Sequence, residues 1–362
     1  MHLREPGDSK SETIASGTRA AAAGGYQAVF DMPNNPGRPT WSDDRLREKQ
    51  AIAKRSSRLA IGFYAGVDLA NPDIDQLPRM INQAAGLKLY MGHTTGNTTE
   101  HNLETARPVI DAWVSEARKR QLHAPILLHA LGGVGFETAK YIAEQEHFVH
   151  WCHVATAEEA EQATWLTRQH GQHFTAGVTP HHLTMTHINA DFQQGWRGAR
   201  MQPPLGREVD HDALLDAYNR GDIQILETDH APHTAADKSK AERENPEGNT
   251  DPDCTTCFGV SGIEFVLPVM TTLVRRKKIE MERLTDSLHA QPKRMLGLSE
   301  NMLRENTILR WDAHTIGEDD IKGASKNTPY IGWEGSARVA RAANLDSPLS
   351  QVPIIQAQAK SL

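Results

Sequence analysis

The sequence of 362 residues is poor in cysteine, has no long apolar run and carries no excess of positive charge. Three cysteines are too few for a disulfide framework, so we expect a reducing cytoplasm as its location. No apolar stretch approaches the ~18 residues of a membrane-spanning helix, so we expect no membrane span. The net charge of −7, without a basic block, argues against nucleic acid or an anionic membrane as a partner.

Histidine, by contrast, is abundant, because the sequence contains 18 of these residues and they fall in clusters. A single histidine is usually an ordinary surface or hydrogen-bonded residue, so the clusters carry the indication. Imidazole is the commonest metal ligand among protein side chains. The composition therefore gives a first indication of a metal-dependent enzyme.

Seven short segments rich in β-forming apolar residues predict strands, and the segments between them show helical periodicity. Near-continuous apolar strands that alternate with helices favour a parallel sheet covered by helices. The predicted strands span 26–34, 59–67, 86–92, 125–130, 148–154, 173–180 and 223–231. We therefore predict an α/β fold, a (β/α)8 TIM-type barrel, in which the remaining strand leads into His2 and is truncated.

The sequence changes character after residue 234, which suggests a boundary towards the C-terminus. A polar stretch rich in charge and breakers predicts a long exposed loop to about residue 254. Helical patterns return at 259–276 and 284–298, and two weaker β-like segments follow. We predict a barrel over 1–302 and a small β appendage with a tail over 303–362.

Polar side chains recur at the same place in the predicted strands, near their C-terminal ends. Asn34, His129, His153 and Asp229 all lie there, and Lys88 lies within a short strand. In a parallel barrel these ends meet on one face, which is where such barrels carry out chemistry. We therefore expect these side chains to lie close together.

This face would also gather His2, and its imidazole and carboxylate groups are ligands typical of zinc or of manganese. Two such ions about 3.5–4 Å apart would share a hydroxide and lower its pKa towards neutrality. Asp229, in "ETDHAPH", could bind a metal through one oxygen and act as general base through the other. The alternative for this segment is a polar turn or a helix N-cap.

Lys88 fits a metal site only if carbon dioxide converts its amine into an anionic carbamate. From the residues alone, an amine that reaches solvent is the favoured interpretation. Strand alternation directs Cys152 away from His153, which predicts a buried and inert thiol. The "CTTC" pair at 254–257 is interpreted as incidental because no second pair accompanies it.

Eight motifs, in order from residue 2 to about residue 300, resemble the dihydroorotases of the amidohydrolase superfamily. They are "HLREPG", "TIASGTRAAAAGGYQAVFDMPNNPGRP", "GLKLYMG", "HVAT", "GVTPHHL", "QPPLG", "ETDHAPHT" and "QPKRMLGL". The resemblance implies a barrel of the amidohydrolase kind that binds two divalent metal ions, with Zn expected. His2 matches the second histidine of the pattern His-x-His-Leu-Arg. The first histidine would lie before Met1, so we expect the chain to lack the family's N-terminal segment.

The resemblance also implies a role for each matching residue. Lys88 matches a carboxylated lysine that bridges the metals, His129 and His153 match ligands of the second metal, and Asp229 matches the catalytic acid–base and metal ligand. The residues that match substrate-contacting groups are Arg4, Asn34, His233 and, in a glycine-containing loop, Gly259. Thr94 and Thr95 match a catalytic loop that closes over the substrate.

The implied reaction is the reversible interconversion of dihydroorotate and N-carbamoyl-L-aspartate in pyrimidine biosynthesis. Two alternatives stay open, a hydrolase of another cyclic amide such as allantoin or hydantoin, and a non-catalytic subunit of the dihydroorotase type. The implied partners are a small-molecule substrate and either a second copy of the chain or aspartate transcarbamoylase.

Overall fold

All seven predicted strands form in the structure, which is a computed structural model. It describes residues 1–95, 99–187, 200–244, 257–299, 301–303, 307–341 and 353–359. The strands are β1 (Ala28–Asp31), β2 (Ala60–Ala65), β3 (Gly86–Tyr90), β4 (Leu122–His123), β5 (Ile126–His129), β6 (Val149–Trp151), β7 (Phe174–Val178), β8 (Ile225–Leu226), β9 (Ile308–Thr315), β10 (Glu334–Arg341), β11 (Ile354–Ile355) and β12 (Gln358–Ala359). The short pair β4 and β12 lies outside the predicted set.

The main sheet is parallel and runs in the order β1-β2-β3-β5-β6-β7-β8. Every residue of β2, β3, β5 and β7 is buried, as expected for strands covered on both faces. Along β5, Ile126 and Leu128 join the core between sheet and helices, while Leu127 joins a second cluster inside the curled sheet. This is the (β/α)8 TIM-type architecture expected from the sequence.

Helices follow most strands and form the outer layer. They are α1 (Ile14–Ala23), α2 (Asp43–Ser56), α3 (Leu77–Met80), α4 (Leu103–Arg120), α5 (Gly132–Glu144), α6 (Ala157–His170), α7 (Pro180–Thr184), α8 (Glu208–Arg220), α9 (Ala235–Glu244), α10 (Val266–Arg275), α11 (Met281–Leu288) and α12 (Ala290–Leu296). None of these described helices is long and apolar enough to cross a membrane.

Two helical regions differ from the sequence prediction. The expected exposed loop after residue 234 begins with α9, where the Thr234 hydroxyl accepts the Asp237 N–H and Lys238 is buried; residues 245–256 lie outside the described part. The segment 284–298 contains two helices, because Pro292 has no N–H for a continuous helix and is tolerated only in the first turn of a new one, α12.

The C-terminal residues form two kinds of strand pairing. β9 and β10 form the expected antiparallel pair, while β11 adds in parallel to β2 and β12 pairs with β4. Residues beyond 302 therefore contribute both to a separate two-stranded sheet and to the barrel sheet. The division of the chain at residue 302 stays a prediction.

The first three residues run between β1 and the segment after β8. The N–H of Met32 donates to the carbonyl of Met1 at 3.0 Å, and the N–H of His2 donates to the carbonyl of His230 at 2.7 Å. An apolar cavity of about 420 Å³ lies beside them, with Phe30 and Leu226 in its lining. His2 is thus held between β1 and the segment after β8, and β1 and β8 are the first and last strands in the order of the main sheet.

Candidate active site

The C-terminal ends of the strands surround a small cavity of about 50 Å³. Most of the predicted site residues line it, namely His2, Arg4, Asn34, Lys88, Thr94, Thr95, His129, His153 and Asp229. His233 lies behind Arg4, with its Nε2 atom 3.1 Å from Arg4 Nη2. Parallel strand ends have therefore brought together residues that are up to 227 positions apart, from His2 to Asp229.

The predicted metal ligands contact one another in two pairs. His129 Nδ1 lies 3.0 Å from His153 Nε2, and His2 Nε2 lies 3.3 Å from an oxygen of Asp229. The ring of His129 is oriented by its Nε2–H, which donates to the carbonyl of His93 at 3.2 Å. This bond leaves the Nδ1 lone pair of His129 directed at His153.

Asn34 orients the ring of His2 in the same way. Its amide nitrogen donates to the carbonyl of Thr95 at 2.9 Å, so its oxygen accepts from His2 Nδ1–H at 2.8 Å. The remaining lone pair of His2, on Nε2, therefore faces the carboxylate of Asp229. An imidazole nitrogen and a carboxylate oxygen are both groups that bind divalent metal ions.

Burial sets the protonation of this site. It lowers the pKa of His129 to about 4 and lowers the pKa values of His2 and His153 well below the usual range. The same loss of solvent raises the pKa of Asp229. Neutral imidazole is the form that binds metals, so the three rings are ready to act as ligands at neutral pH.

Lys88 does not reach solvent, so the interpretation favoured from the residues alone is wrong. Its side chain is buried inside the curled sheet, and its amine donates to the thiol of Cys152 at 2.9 Å. The ring of Tyr90 lies on another side, with its centroid 5.4 Å from the amine. Cys152 is buried as predicted, but it contacts a predicted site residue.

Sequence reasoning missed a second group of potential metal ligands, one of which, Glu227, lines the cavity. One potential ligand atom from each of His150, Cys152 and Glu227 lies within 4.8 Å of the other two. Burial alone would lower the pKa of His150, but the neighbouring Cys152 and Glu227 raise it to about 9. The spacing of His150 and Cys152, two residues apart on one strand face, was the available signal.

Three site residues have left-handed backbone conformations just beyond regular structure. The φ angles are 38° at Arg4, 35° at His153 and 36° at Asp229. Residues other than glycine rarely adopt this region, and it persists only where the surrounding contacts enforce it. The strand ends therefore turn sharply here and direct these side chains into the cavity.

Arg4 lines the cavity, whereas Gly259 is not among the residues that line it. Arg4 is buried, its Nε donates to the carbonyl of Pro232 at 3.2 Å, and its Nη1 has no hydrogen-bond partner among the described residues. Gly259 has a φ of 124°, and a Cβ there would lie 2.3 Å from that of Ala231. The Gly259 loop thus packs closely against the segment of Asp229.

Comparisons with known proteins place this geometry in a family. The model of the Amidohydrolase family matches residues 1–296. The chain belongs to this family. Members are metal-dependent hydrolases, and this chain is likewise a hydrolase.

Individual relatives are similar over most of this chain. The multifunctional protein CAD of Squalus acanthias is 30% identical over 345 residues, which are 94% of this chain but 14% of that protein. The dihydroorotase of Staphylococcus aureus strain MW2 is 28% identical over 362 residues, covering 92% of this chain and 82% of its own.

Solved structures show the same fold at low sequence identity. L-hydantoinase from Arthrobacter aurescens has a TM-score of 0.78 at 17% identity and covers 99% of this chain and 85% of its own. Dihydroorotase from Saccharomyces cerevisiae, solved with 5-fluoroorotic acid, has a TM-score of 0.71 at 17% identity and covers 94% of this chain and 96% of its own. They support the barrel of the amidohydrolase kind.

Proposed function

We propose that the chain is a dihydroorotase, which interconverts dihydroorotate and N-carbamoyl-L-aspartate. The observation that carries this proposal is the single cavity that collects His2, Lys88, His129, His153 and Asp229. The similarity to proteins named dihydroorotase, at 28% identity over 92% of this chain, supports the same reaction. These residues hold the reacting amide, and Arg4 holds the substrate carboxylate.

The residues around the cavity fit two divalent ions, which we propose to be Zn. Three neutral imidazole nitrogens and one carboxylate oxygen meet in two pairs, a donor set that suits Zn. Lys88 would hold both ions as a carbamate formed on its amine. When bound, such ions supply Lewis acidity and lower the pKa of a water molecule.

Asp229 moves the proton in the proposed reaction. It accepts a proton from the attacking water and passes it to the ring nitrogen as the amide C–N bond breaks, which leaves a carbamoyl nitrogen and a carboxylic acid that loses its own proton to solvent. Burial raises the pKa of its carboxyl group, which brings it nearer to the value that suits a proton carrier. The same steps in reverse order close the ring.

The substrate carboxylate is bound on the opposite side by Arg4, Asn34 and His233. Arg4 offers the unpaired Nη1 group, and a guanidinium forms strong paired hydrogen bonds with a carboxylate. The backbone of Gly259 contacts the ring. Thr94 and Thr95, both buried at the cavity, exclude water from the reacting amide.

A substrate panel with a matched pair of variants tests this proposal. The unmodified protein should turn over dihydroorotate faster than hydantoin, dihydrouracil or allantoin. Arg4→Ala should lower kcat/KM for dihydroorotate by at least about 100-fold, the scale expected for a lost charged contact, and should affect uncharged rings little. Arg19→Ala, which removes a guanidinium from the surface of α1, is the control and should behave as the unmodified protein.

The outcomes separate the alternatives. Preferred turnover of an uncharged ring would replace the proposal by a hydantoinase-like or allantoinase-like activity. Absence of zinc and of turnover would favour the non-catalytic subunit. Light scattering after size-exclusion chromatography, with and without aspartate transcarbamoylase, distinguishes a homodimer from association with that enzyme.

A further inference from the structure

Glu227 follows β8 and lines the candidate site, and the proposed reaction does not use it. One carboxylate oxygen accepts a hydrogen bond from the backbone N–H of His153. The other lies 3.5 Å from His150 Nε2. The carboxylate therefore joins the end of β8 to two residues at the end of β6.

The neighbouring strand leaves space for this carboxylate. A Cβ added at Gly177, on β7, would lie 2.3 Å from the Oε1 atom of Glu227 and 3.0 Å from the ring of His150. Any larger residue at position 177 would displace Glu227. The carboxylate thus occupies the position that a side chain on β7 would otherwise fill.

The hydrogen bond to His153 matters because of the conformation of that residue. The flanking N–H groups pair with the sheet on either side, from Cys152 to Leu128 and from Val154 to Gly177. His153 lies between them with a φ of 35°, a conformation that costs about 1–3 kcal/mol and needs support from its surroundings. Among the described hydrogen bonds, the N–H of His153 donates to the carboxylate of Glu227.

The geometry points to Glu227 as a positioning residue for the metal-ligand pair His129–His153. By holding the His153 backbone in this turn, the carboxylate keeps His153 Nε2 at 3.0 Å from His129 Nδ1. The inference rests on the proposed metal site and goes beyond it, because Glu227 acts on the ligand and not on the substrate. Groups behind metal ligands typically change metal affinity or activity by about 10- to 100-fold.

Zinc affinity, measured by chelator competition with zinc alone, is the first readout. Glu227→Ala should weaken zinc binding at the His129–His153 pair by about 10- to 100-fold, and should lower kcat with little change in KM. Glu264→Ala is the matched control. Glu264 is also buried and accepts two backbone N–H groups, of Lys322 and Gly323, so its loss should lower stability without changing zinc affinity.

Moving the carboxylate to the neighbouring strand provides a rescue. In Glu227→Ala/Gly177→Asp, an oxygen two bonds beyond the new Cβ can reach the space vacated by Oε1, 2.3 Å from that Cβ. We expect this double variant to recover at least tenfold in zinc affinity over Glu227→Ala. Gly177→Ala, which displaces the carboxylate without removing it, should weaken zinc binding even if Glu227→Ala fails to fold.

Three results would overturn the inference. The first is unchanged zinc affinity in folded Glu227→Ala or Gly177→Ala. The second is a folded double variant no better than Glu227→Ala. The third is a count of three ions that Glu227→Ala lowers to two, since Glu227 would then bind metal directly with His150 and Cys152. Because zinc binding is measured without substrate, failure of the dihydroorotase proposal would appear separately, as zinc-loaded protein inactive on dihydroorotate.

Discussion

At the residue scale, Asp229 combines two properties that rarely occur together in a surface carboxylate. Its φ of 36° directs the side chain into the cavity, and burial raises its pKa. A strained backbone and a perturbed carboxyl group are typical of catalytic positions. Both properties come from the sharp turn after β8.

We expect Asp229→Asn to lower kcat for dihydroorotate by about 10²- to 10⁴-fold, because the amide cannot carry a proton. Asp216→Asn, on the exposed face of α8, should leave kcat unchanged. Zinc content measured on the same samples separates lost proton transfer from lost metal binding. A variant that keeps both zinc ions and more than a tenth of the activity would remove Asp229 from the proton-transfer role.

Lys238, on α9, is buried outside the residues assigned to the reaction, and its burial should make the free energy of unfolding depend on pH. Burial is the main reason that its pKa is lowered to about 7; Cys257 opposes this shift, while the charges of Arg200 and Arg4 add to it. Its amine donates to the carbonyl of Arg200 at 2.7 Å. The same carbonyl accepts the N–H of Gly259, so Lys238 supports the segment that contacts Gly259.

Because the folded pKa of Lys238 lies below the unfolded value of 10.5, the unfolded chain binds more protons between pH 7 and 10.5. The contribution of Lys238 to the free energy of unfolding should therefore increase with pH over this range and stay constant below it. Urea denaturation from pH 6 to 10 should show a smaller rise for Lys238→Met than for the unmodified protein. Lys54→Met, an exposed control on α2, should keep the full rise; parallel curves for both variants would contradict the prediction.

At the element scale, the sequence was most informative where burial is complete. Strands β2, β3, β5 and β7 were predictable because both of their faces are apolar. The start of α1 depends instead on local hydrogen bonds, because Thr13 is its N-cap, in a capping box with Ser16. The polar composition of α9 also concealed it, since Lys238 is the buried side chain among residues 235–240 and the segment has no apolar stripe.

The candidate site was likewise predictable from the sequence only in part. Positions of His129, His153 and Asp229 followed from the strand ends, since strand order alone brings them to one face. The Lys88–Cys152 contact and the role of Glu227 could not be predicted, because they depend on which side chains meet across non-adjacent strands inside the barrel. Local periodicity carries no information on such contacts.

Helix α6 follows the strand that carries His153 and has a complete N-terminal cap. Thr156 accepts the N–H of Glu159 at 3.1 Å, and the Glu159 carboxylate accepts the N–H groups of Ala155 and of Gly132 at 2.7 Å each. We expect Thr156→Ala to lower the free energy of unfolding by about 1 kcal/mol in urea denaturation. Thr156→Ser should retain most of it, and an equal loss in both variants would contradict a role for the hydroxyl.

At the scale of the whole molecule, the inside of the barrel divides into two regions. One end holds the polar cavity with its histidines and Asp229, and the other holds the apolar cavity of about 420 Å³. Met1 and Glu227 line both. The candidate metal ligands are thus attached to elements at both ends of the sheet order, from His2 beside β1 to Asp229 after β8, so a metal bound by them would affect the closure of the whole sheet.

Removal of metal should consequently lower the stability of the entire barrel. Zinc at 100 times its dissociation constant stabilises a folded protein by about 2.7 kcal/mol if the unfolded chain does not bind it. We therefore expect a chelator to lower the thermal midpoint and zinc to restore it, because His2, His129 and Asp229 join separate elements through the ions. His129→Ala should lose most of this response, whereas His289→Ala, an exposed control between α11 and α12, should keep it. An equal rise of the midpoint with zinc in both variants would show that zinc binds elsewhere, and the metal centre at the strand ends would have to be abandoned.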